Sequence, residues 1–341
     1  MNTTVCGNFT IDPPQPTYSN SDSHTHTTNQ APKLQSRIPI LHYDNDWVCV
    51  NKPAGITVHR SHRTPKHQAV LTSRIKRQLG RKVYPVHRLD HRTSGAMVLS
   101  FVNGTLCGQL HSGLGHKQCI ALVRGLWNTN QRTILVNTPV KVHGVAKEAQ
   151  TKFTLLATTT TSKNDTKADS IMDDYDHCSV VLCEPLTGRT HQIRRHAYAI
   201  GHPIIGDTQH GDTKVNRYWR NHYGMDRLGL HCISLAVSVP LDHQRDKDNQ
   251  LDTVESESTD NLETIKGVTV NPNGTTTTRT ITAPLSPEFQ RVLRHYDGGS
   301  LWRTVIQQDP RLQLERIDVR GGTHGRNYCR RNLSATKRKH Q

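Results

Sequence analysis

Asp90 is the single carboxylate among residues 51–100, a stretch with eleven Lys and Arg side chains, and Arg88 and Arg92 stand on either side of it. Cations so close in sequence favour the ionised carboxylate, since opposite charges within a few ångströms stabilise the charged form. They also build a positive surface that attracts a polyanion. A unit-charge pair ~4 Å apart is worth about 4 kcal/mol at an effective dielectric near 20, and only about 1 kcal/mol in water. Burial therefore separates a charge-fixed reactive group from an ordinary surface ion pair. On the charge pattern alone both readings stand.

Several elements must hold this loop. Trp47-Val-Cys-Val50 predicts a short buried strand, ended by the turn signal Lys52-Pro-Ala-Gly55. Leu71, Ile75 and Leu79 recur at spacing four, with Arg74, Lys76 and Arg77 elsewhere on the surface, which predicts an amphipathic helix over 69–79 with a basic side. Strands are expected at 96–102, 120–125, 180–183, 233–240 and 279–281. After Thr190 a helix is expected that puts Ile193, Ala197 and Ile200 on one face and His191, Arg194 and Tyr198 on another, closed by Gly201 and Pro203. A last helix is expected from Pro287 to about Tyr296.

Composition sets further bounds. Of 341 residues, 33% are hydrophobic and 5% aromatic, so part of the chain is expected to stay unpacked. The net charge is +16, and residues 36–240 hold 27 basic against 13 acidic side chains, so the positive field belongs to the region around Asp90. Nucleic acid is the leading partner for such a field, ahead of an anionic membrane surface. Apolar runs fall short of the ~18–20 residues of a transmembrane helix, and the N-terminus lacks a secretory pattern. The eight cysteines are scattered without a C-x-x-C pair, and read as reduced intracellular thiols rather than a zinc site or disulfide framework. Residues 1–37 read as a disordered leader, and 157–176 and 244–275 as polar insertions. The tail over 306–341 carries seven Lys and Arg and no acid after Asp318, as an RNA-gripping segment or an import signal would. The cytoplasm is the expected location, with a nuclear or organellar one left open.

Three ordered motifs carry a family resemblance: Asn51-Lys-Pro-Ala-Gly55, His87-Arg-Leu-Asp-His-Arg-Thr-Ser-Gly95 and Pro185-Leu-Thr-Gly-Arg-Thr-His-Gln-Ile-Arg-Arg-His196, with Gly201-His-Pro-Ile-Ile-Gly-Asp207 behind the third. Together they resemble the RluA family of RNA pseudouridine synthases over roughly residues 38–240, with a weaker continuation near 276–305. Val58-His-Arg-Ser61 and His210-Gly-Asp212 are most similar to the branch of tRNA pseudouridine synthase C. The resemblance implies an α+β fold on a mixed, mostly antiparallel sheet, with a catalytic domain over 38–305. It implies a monomer that acts on RNA, with tRNA expected, and that uses no cofactor or metal.

Pseudouridine formation breaks the bond between uracil nitrogen and ribose, turns the base and rejoins it through carbon 5. By resemblance Asp90 is the catalytic carboxylate and Arg194 the basic residue paired with it. Arg88 matches the Arg that enters the stack in place of a flipped base. Lys52, His87, Arg92, Arg189, His191 and Gln192 are expected to support the site or contact RNA. In one place the chain departs from the family. Where the family has Lys-x-Tyr, with the Tyr stacking on the target base, this chain has Lys117-Gln118-Cys119. Base–aromatic stacking is worth ~1–3 kcal/mol. Tyr84 or Tyr198 is a candidate to substitute, and the sequence places neither ring. The segment before Cys119 should be a helix by resemblance, shortened by Gly104, Gly108, Gly113 and Gly115. Two functions follow from these readings: an active synthase, or an RNA-binding descendant without turnover. A two-metal nuclease is disfavoured for want of clustered carboxylates.

Overall fold

The structure is a computed structural model that describes residues 37–60, 65, 68–159, 175–240, 268–270 and 276–313. The leader, the basic tail beyond residue 313 and most of the two polar insertions lie outside the described residues, and so do the expectations made for them.

Thirteen strands are described. In chain order they are β1 (Ile40–Tyr43), β2 (Trp47–Lys52), β3 (Tyr84–Pro85), β4 (Ser94–Ser100), β5 (Leu114–Arg124), β6 (Thr133–Val136) and β7 (Val140–Val142), followed by β8 (Val145–Lys147), β9 (Thr151–Thr158), β10 (Cys178–Pro185), β11 (Leu230–Pro240), β12 (Val268–Val270) and β13 (Thr276–Thr282). The helices are α1 (Leu71–Leu79), α2 (Thr105–Ser112), α3 (Gln192–Ala199), α4 (Thr213–Tyr223), α5 (Pro287–His295) and α6 (Ser300–Gln308). One large sheet runs β1-β2-β4-β11-β5-β10-β9-β6, with β3 on β4, β13 on β11 and β12 on β13. Among the described strands only β4 and β11 pair in parallel, and the other strand pairings are antiparallel; an isolated bridge joins Thr57 and Val70 in parallel. This is the mixed, mostly antiparallel α+β architecture expected.

Alternation along β5 shows how the sheet separates two cores. Cys119, Ala121 and Val123 face one side, with Leu71 and Ile75 of α1 and Ile193 and Ala197 of α3. Ile120 and Leu122 face the other, which Trp219 of α4, Phe289 and Leu293 of α5 and Trp302 of α6 cover. Period-two alternation in the strands and spacing-four repeats in the helices place these side chains inward. Among the described residues no helix is long and apolar enough to cross a membrane.

Three expectations are corrected. β5 starts at Leu114 rather than near Ile120, because β11 extends alongside it and pairs Leu235 with Lys117 and Val237 with Leu114. The strand β12 falls inside the stretch read as a polar insertion, where it pairs with β13. Ordered structure also continues past residue 305. After α6 a 3₁₀ turn spans Pro310–Gln313, buries Leu312 and pairs Arg311 with Asp309.

Candidate active site

The loop bearing Asp90 links β3 to β4 and is fixed from both sides. Behind it, His87 Nε2 accepts the Val98 N–H at 3.0 Å, and burial, with Lys117 and His111 adding to it, pushes the His87 pKa down to about 3. That ring is a neutral acceptor holding the loop to β4. Inside the loop, Thr93 N–H donates to the Asp90 carbonyl at 3.1 Å and Leu89 is buried as its apolar anchor. Beneath it lies Lys52, fully buried at 0% exposure, whose Nζ donates to the carbonyls of Pro53, His91 and Thr93 at 3.0, 3.2 and 2.7 Å. Burial drives the Lys52 pKa down to about 7, with Arg227 in the same direction and Asp90 against it. Three carbonyl acceptors match the three donors of the ammonium form. Gly95 then begins a close approach of strands, for a Cβ there would lie 2.2 Å from the Cys232 carbonyl oxygen. No other residue fits.

Arg194 reaches this loop from α3, across 104 residues of sequence. The turn before α3 is tied by Gln192, which accepts from Thr187 Oγ1 and Arg189 N–H and donates to the Gln150 carbonyl and Thr151 Oγ1. Four hydrogen bonds use the whole amide, so Gln192 sets the start of the helix and has no capacity left for a ligand. His191, the residue just before α3, has the left-handed backbone φ 55°, ψ 25°. One turn inward, Arg194 is 7% exposed and divides its guanidinium. Nη1 donates to Asp90 Oδ2 at 3.0 Å, while Nε and Nη2 donate to Asp207 Oδ2 and Oδ1, both at 2.7 Å. Nη2 also donates to Gln209 Oε1 at 3.1 Å.

Asp207 comes from the turn that follows α3. There Gly206 has φ +80°, and a Cβ on it would sit 1.9 Å from the Arg227 carbonyl oxygen. Oδ1 of Asp207 accepts the N–H groups of Gln209 and His210, and Asn216 bridges Gly206 N–H and the Asp207 carbonyl. Burial would raise the Asp207 pKa, but Arg194 and those two N–H groups pull it down to about 2. For Arg194 burial would lower the pKa, yet its bonds to Asp207 and then Asp90 outweigh it and raise the value. Both charges are therefore held, and Asp90 has the more open place. Its side chain is 29% exposed, against 1% for Asp207.

The other expected residues divide. Arg88 is exposed beside Asp90 in sequence, and Arg189 is also exposed, its side chain donating from Nε to the Glu148 carbonyl. Arg92 instead clamps the fold, donating to Thr208 Oγ1 and to the Asp226 carbonyl. His191 joins the site with Nε2 3.9 Å from Asp90 Oδ2. Cys119 is 1% exposed and lies in one row across the sheet with Lys52, Gly95, Cys232 and Cys183. Tyr84 does not take the place of a ring at residue 119. Tyr84 pairs with Ser100, the far end of β4, six residues or about 20 Å from the Asp90 end. Tyr198 is 61% exposed to solvent.

Asp207, Gln209 and His210 were missed by reading the sequence for reactive groups. The signal was present, since Asp207 ends Gly201-His-Pro-Ile-Ile-Gly-Asp207, but nothing local links it to Arg194. Taken together, the geometry offers a solvent-reachable carboxylate held in place by a buried, doubly anchored guanidinium, with Arg88 exposed two residues before it. Such a group can act on an electron-poor carbon of a polyanionic ligand.

A profile of the family described as RNA pseudouridylate synthase matches residues 46–199. The chain is 32% identical over 224 residues to tRNA pseudouridine synthase C of Haemophilus influenzae, covering 60% of this chain and 88% of that protein. It is 33% identical over 228 residues to the protein of the same name from Pasteurella multocida, covering 61% and 88%. Among solved structures, human RNA Pseudouridylate Synthase Domain Containing 4 aligns at 19% identity over 81% of this chain and 94% of that one, with a TM-score of 0.48.

Proposed function

The chain belongs to the RNA pseudouridylate synthase family, and we propose that it isomerises uridine to pseudouridine in tRNA, with Asp90 as the reacting carboxylate. One observation carries this reading: Asp90 sits 3.0 Å from Arg194, and that guanidinium is locked on its other side by Asp207. A carboxylate so held is aimed before substrate arrives, which is how electrostatic preorganisation lowers a barrier. The reacting atoms of a stacked uridine are out of reach, so the base must be turned out of its stack. Arg88, exposed next to Asp90, fills the gap it leaves. Arg189 and the basic side of α1 hold phosphates, where most RNA affinity arises. The relatives named tRNA pseudouridine synthase C direct the choice of RNA to tRNA.

In this reading the catalytic domain covers residues 38–305 and is extended by α6 and the turn after it. It acts as a monomer in the cytoplasm and uses no cofactor, since nothing is oxidised or transferred between molecules. The buried Cys119 favours a second reading, an RNA-binding descendant without turnover, because a thiol supplies neither a ring nor a phenol. Pseudouridine mapping of tRNA incubated with the purified protein separates the two. New pseudouridine from wild type that is lost in Asp90→Asn is expected; tight RNA binding with no new pseudouridine would favour the second reading.

A further inference from the structure

The side chain that contacts the site from the start of α3 has no assigned part in the chemistry. His191 Nε2 lies 3.9 Å from Asp90 Oδ2, beyond hydrogen-bond reach. Its Nδ1 lies 3.2 Å from His210 Nε2, so one proton is shared between the two rings. His210 is in turn fastened through its backbone N–H to Asp207, the carboxylate that anchors Arg194. His191 thus stands between Asp90, across a gap of 3.9 Å, and His210, to which it is hydrogen-bonded. The backbone at His191 is left-handed, a conformation that costs a non-glycine residue energy and persists mainly where a side chain must be aimed.

Resting on the synthase reading, we infer that His191, backed by His210, is the base that removes the proton from carbon 5 of the rejoined uracil. With Nδ1–H donating to His210, Nε2 keeps a lone pair toward the site. The C5–H bond then breaks, and its electron pair restores the ring double bond. The proton goes to Nε2, and the ring nitrogen freed from ribose takes one up from water, so that once His191 has returned its proton to solvent the product is an isomer of the substrate. The imidazolium formed is stabilised by Asp90, and Nδ1–H passes its proton to His210 and on to water. This supplies a proton acceptor in a site where residue 119 is a buried thiol. Burial lowers the pKa of His191 below its ordinary 6.5, with Arg194 and Arg195 adding to it and Asp90 and Asp207 opposing. The ring is therefore neutral, and able to accept, at pH 7. His210 is lowered in the same way, by burial and by Arg194, His191 and Arg195, with Asp207 opposing.

The test compares wild type, His191→Asn, His210→Gln and Asp90→Asn on tRNA carrying ordinary or C5-deuterated uridine. Asn is chosen because it tolerates the left-handed backbone better than most residues. In His191→Asn, kcat should fall about 100-fold, the scale of general-base catalysis, with RNA affinity kept. Its C5 deuterium effect on kcat should exceed that of wild type, and the acidic limb of the kcat–pH profile should vanish. A purely structural role would lower kcat without enlarging the isotope effect. His210→Gln should shift that limb and lower kcat less. Wild-type kcat, isotope effect and pH profile in His191→Asn, or an unmoved limb in His210→Gln, would overturn the assignment while leaving the synthase reading intact. Absence of pseudouridine from wild type would overturn both.

Discussion

Asp90 and Asp207 sit on two sides of one guanidinium, and they use Arg194 differently. Asp207 takes two hydrogen bonds at 2.7 Å in a setting that is almost closed, while Asp90 takes one at 3.0 Å and keeps an exposed edge. The tighter carboxylate fixes the cation, and the cation fixes the more exposed carboxylate. Orientation therefore passes from the fold to Asp90 through Arg194.

Arg194→Lys should lower pseudouridine formation at least about 100-fold, although charge is retained. An ammonium is a point donor and cannot hold Asp207 in two-point geometry while reaching Asp90. Single-turnover rates on tRNA, with RNA affinity measured in parallel, provide the check. A rate within a few-fold of wild type would show that charge alone suffices.

Asp207→Asn should cost about 3–5 kcal/mol of stability, because it leaves the Arg194 charge without its main buried partner. It should also slow the reaction. The pH dependence has a definite sign. The folded pKa of Asp207, about 2, lies below its ordinary 3.8, so its contribution is full above 3.8 and is lost as pH falls through about 2. Linkage puts that contribution at about 2 kcal/mol. Denaturant melts between pH 5 and 2 should show wild type losing stability relative to Asp207→Asn.

Lys52→Met should weaken the loop rather than the charge pair. The carbonyls of Pro53, His91 and Thr93 would lose their shared donor, each at a desolvation cost of about 1–3 kcal/mol if left unpaired. The expected result is a lower melting temperature and a reduced kcat at nearly constant RNA affinity. Unchanged stability would mean that the loop holds itself.

Cys119→Tyr should destabilise the protein by about 1–3 kcal/mol, since a ring would enter a row already filled by Cys232 and Cys183. If His191 supplies the base, the tyrosine should not raise kcat. Thermal melts and turnover of the variant check both parts. A gain in turnover would mean that the missing ring limits the natural protein.

Much of this molecule was legible in its sequence. The strands at Trp47–Lys52 and Cys178–Pro185 and the helix at Gln192–Ala199 follow from runs of apolar residues and from period, which are local properties. Asp90 and Arg194 stood out by motif, and they do meet. Four things depended on the tertiary structure: that Asp207 is the second partner of Arg194, that Lys52 is buried under the loop, that Arg92 is engaged by Thr208 and Asp226, and that His191 reaches both Asp90 and His210. The reason is common to all four. Residue type and spacing fix which groups can be charged or apolar. The free energy of a charge depends on its burial and on its neighbours within a few ångströms, and strands far apart in sequence decide both.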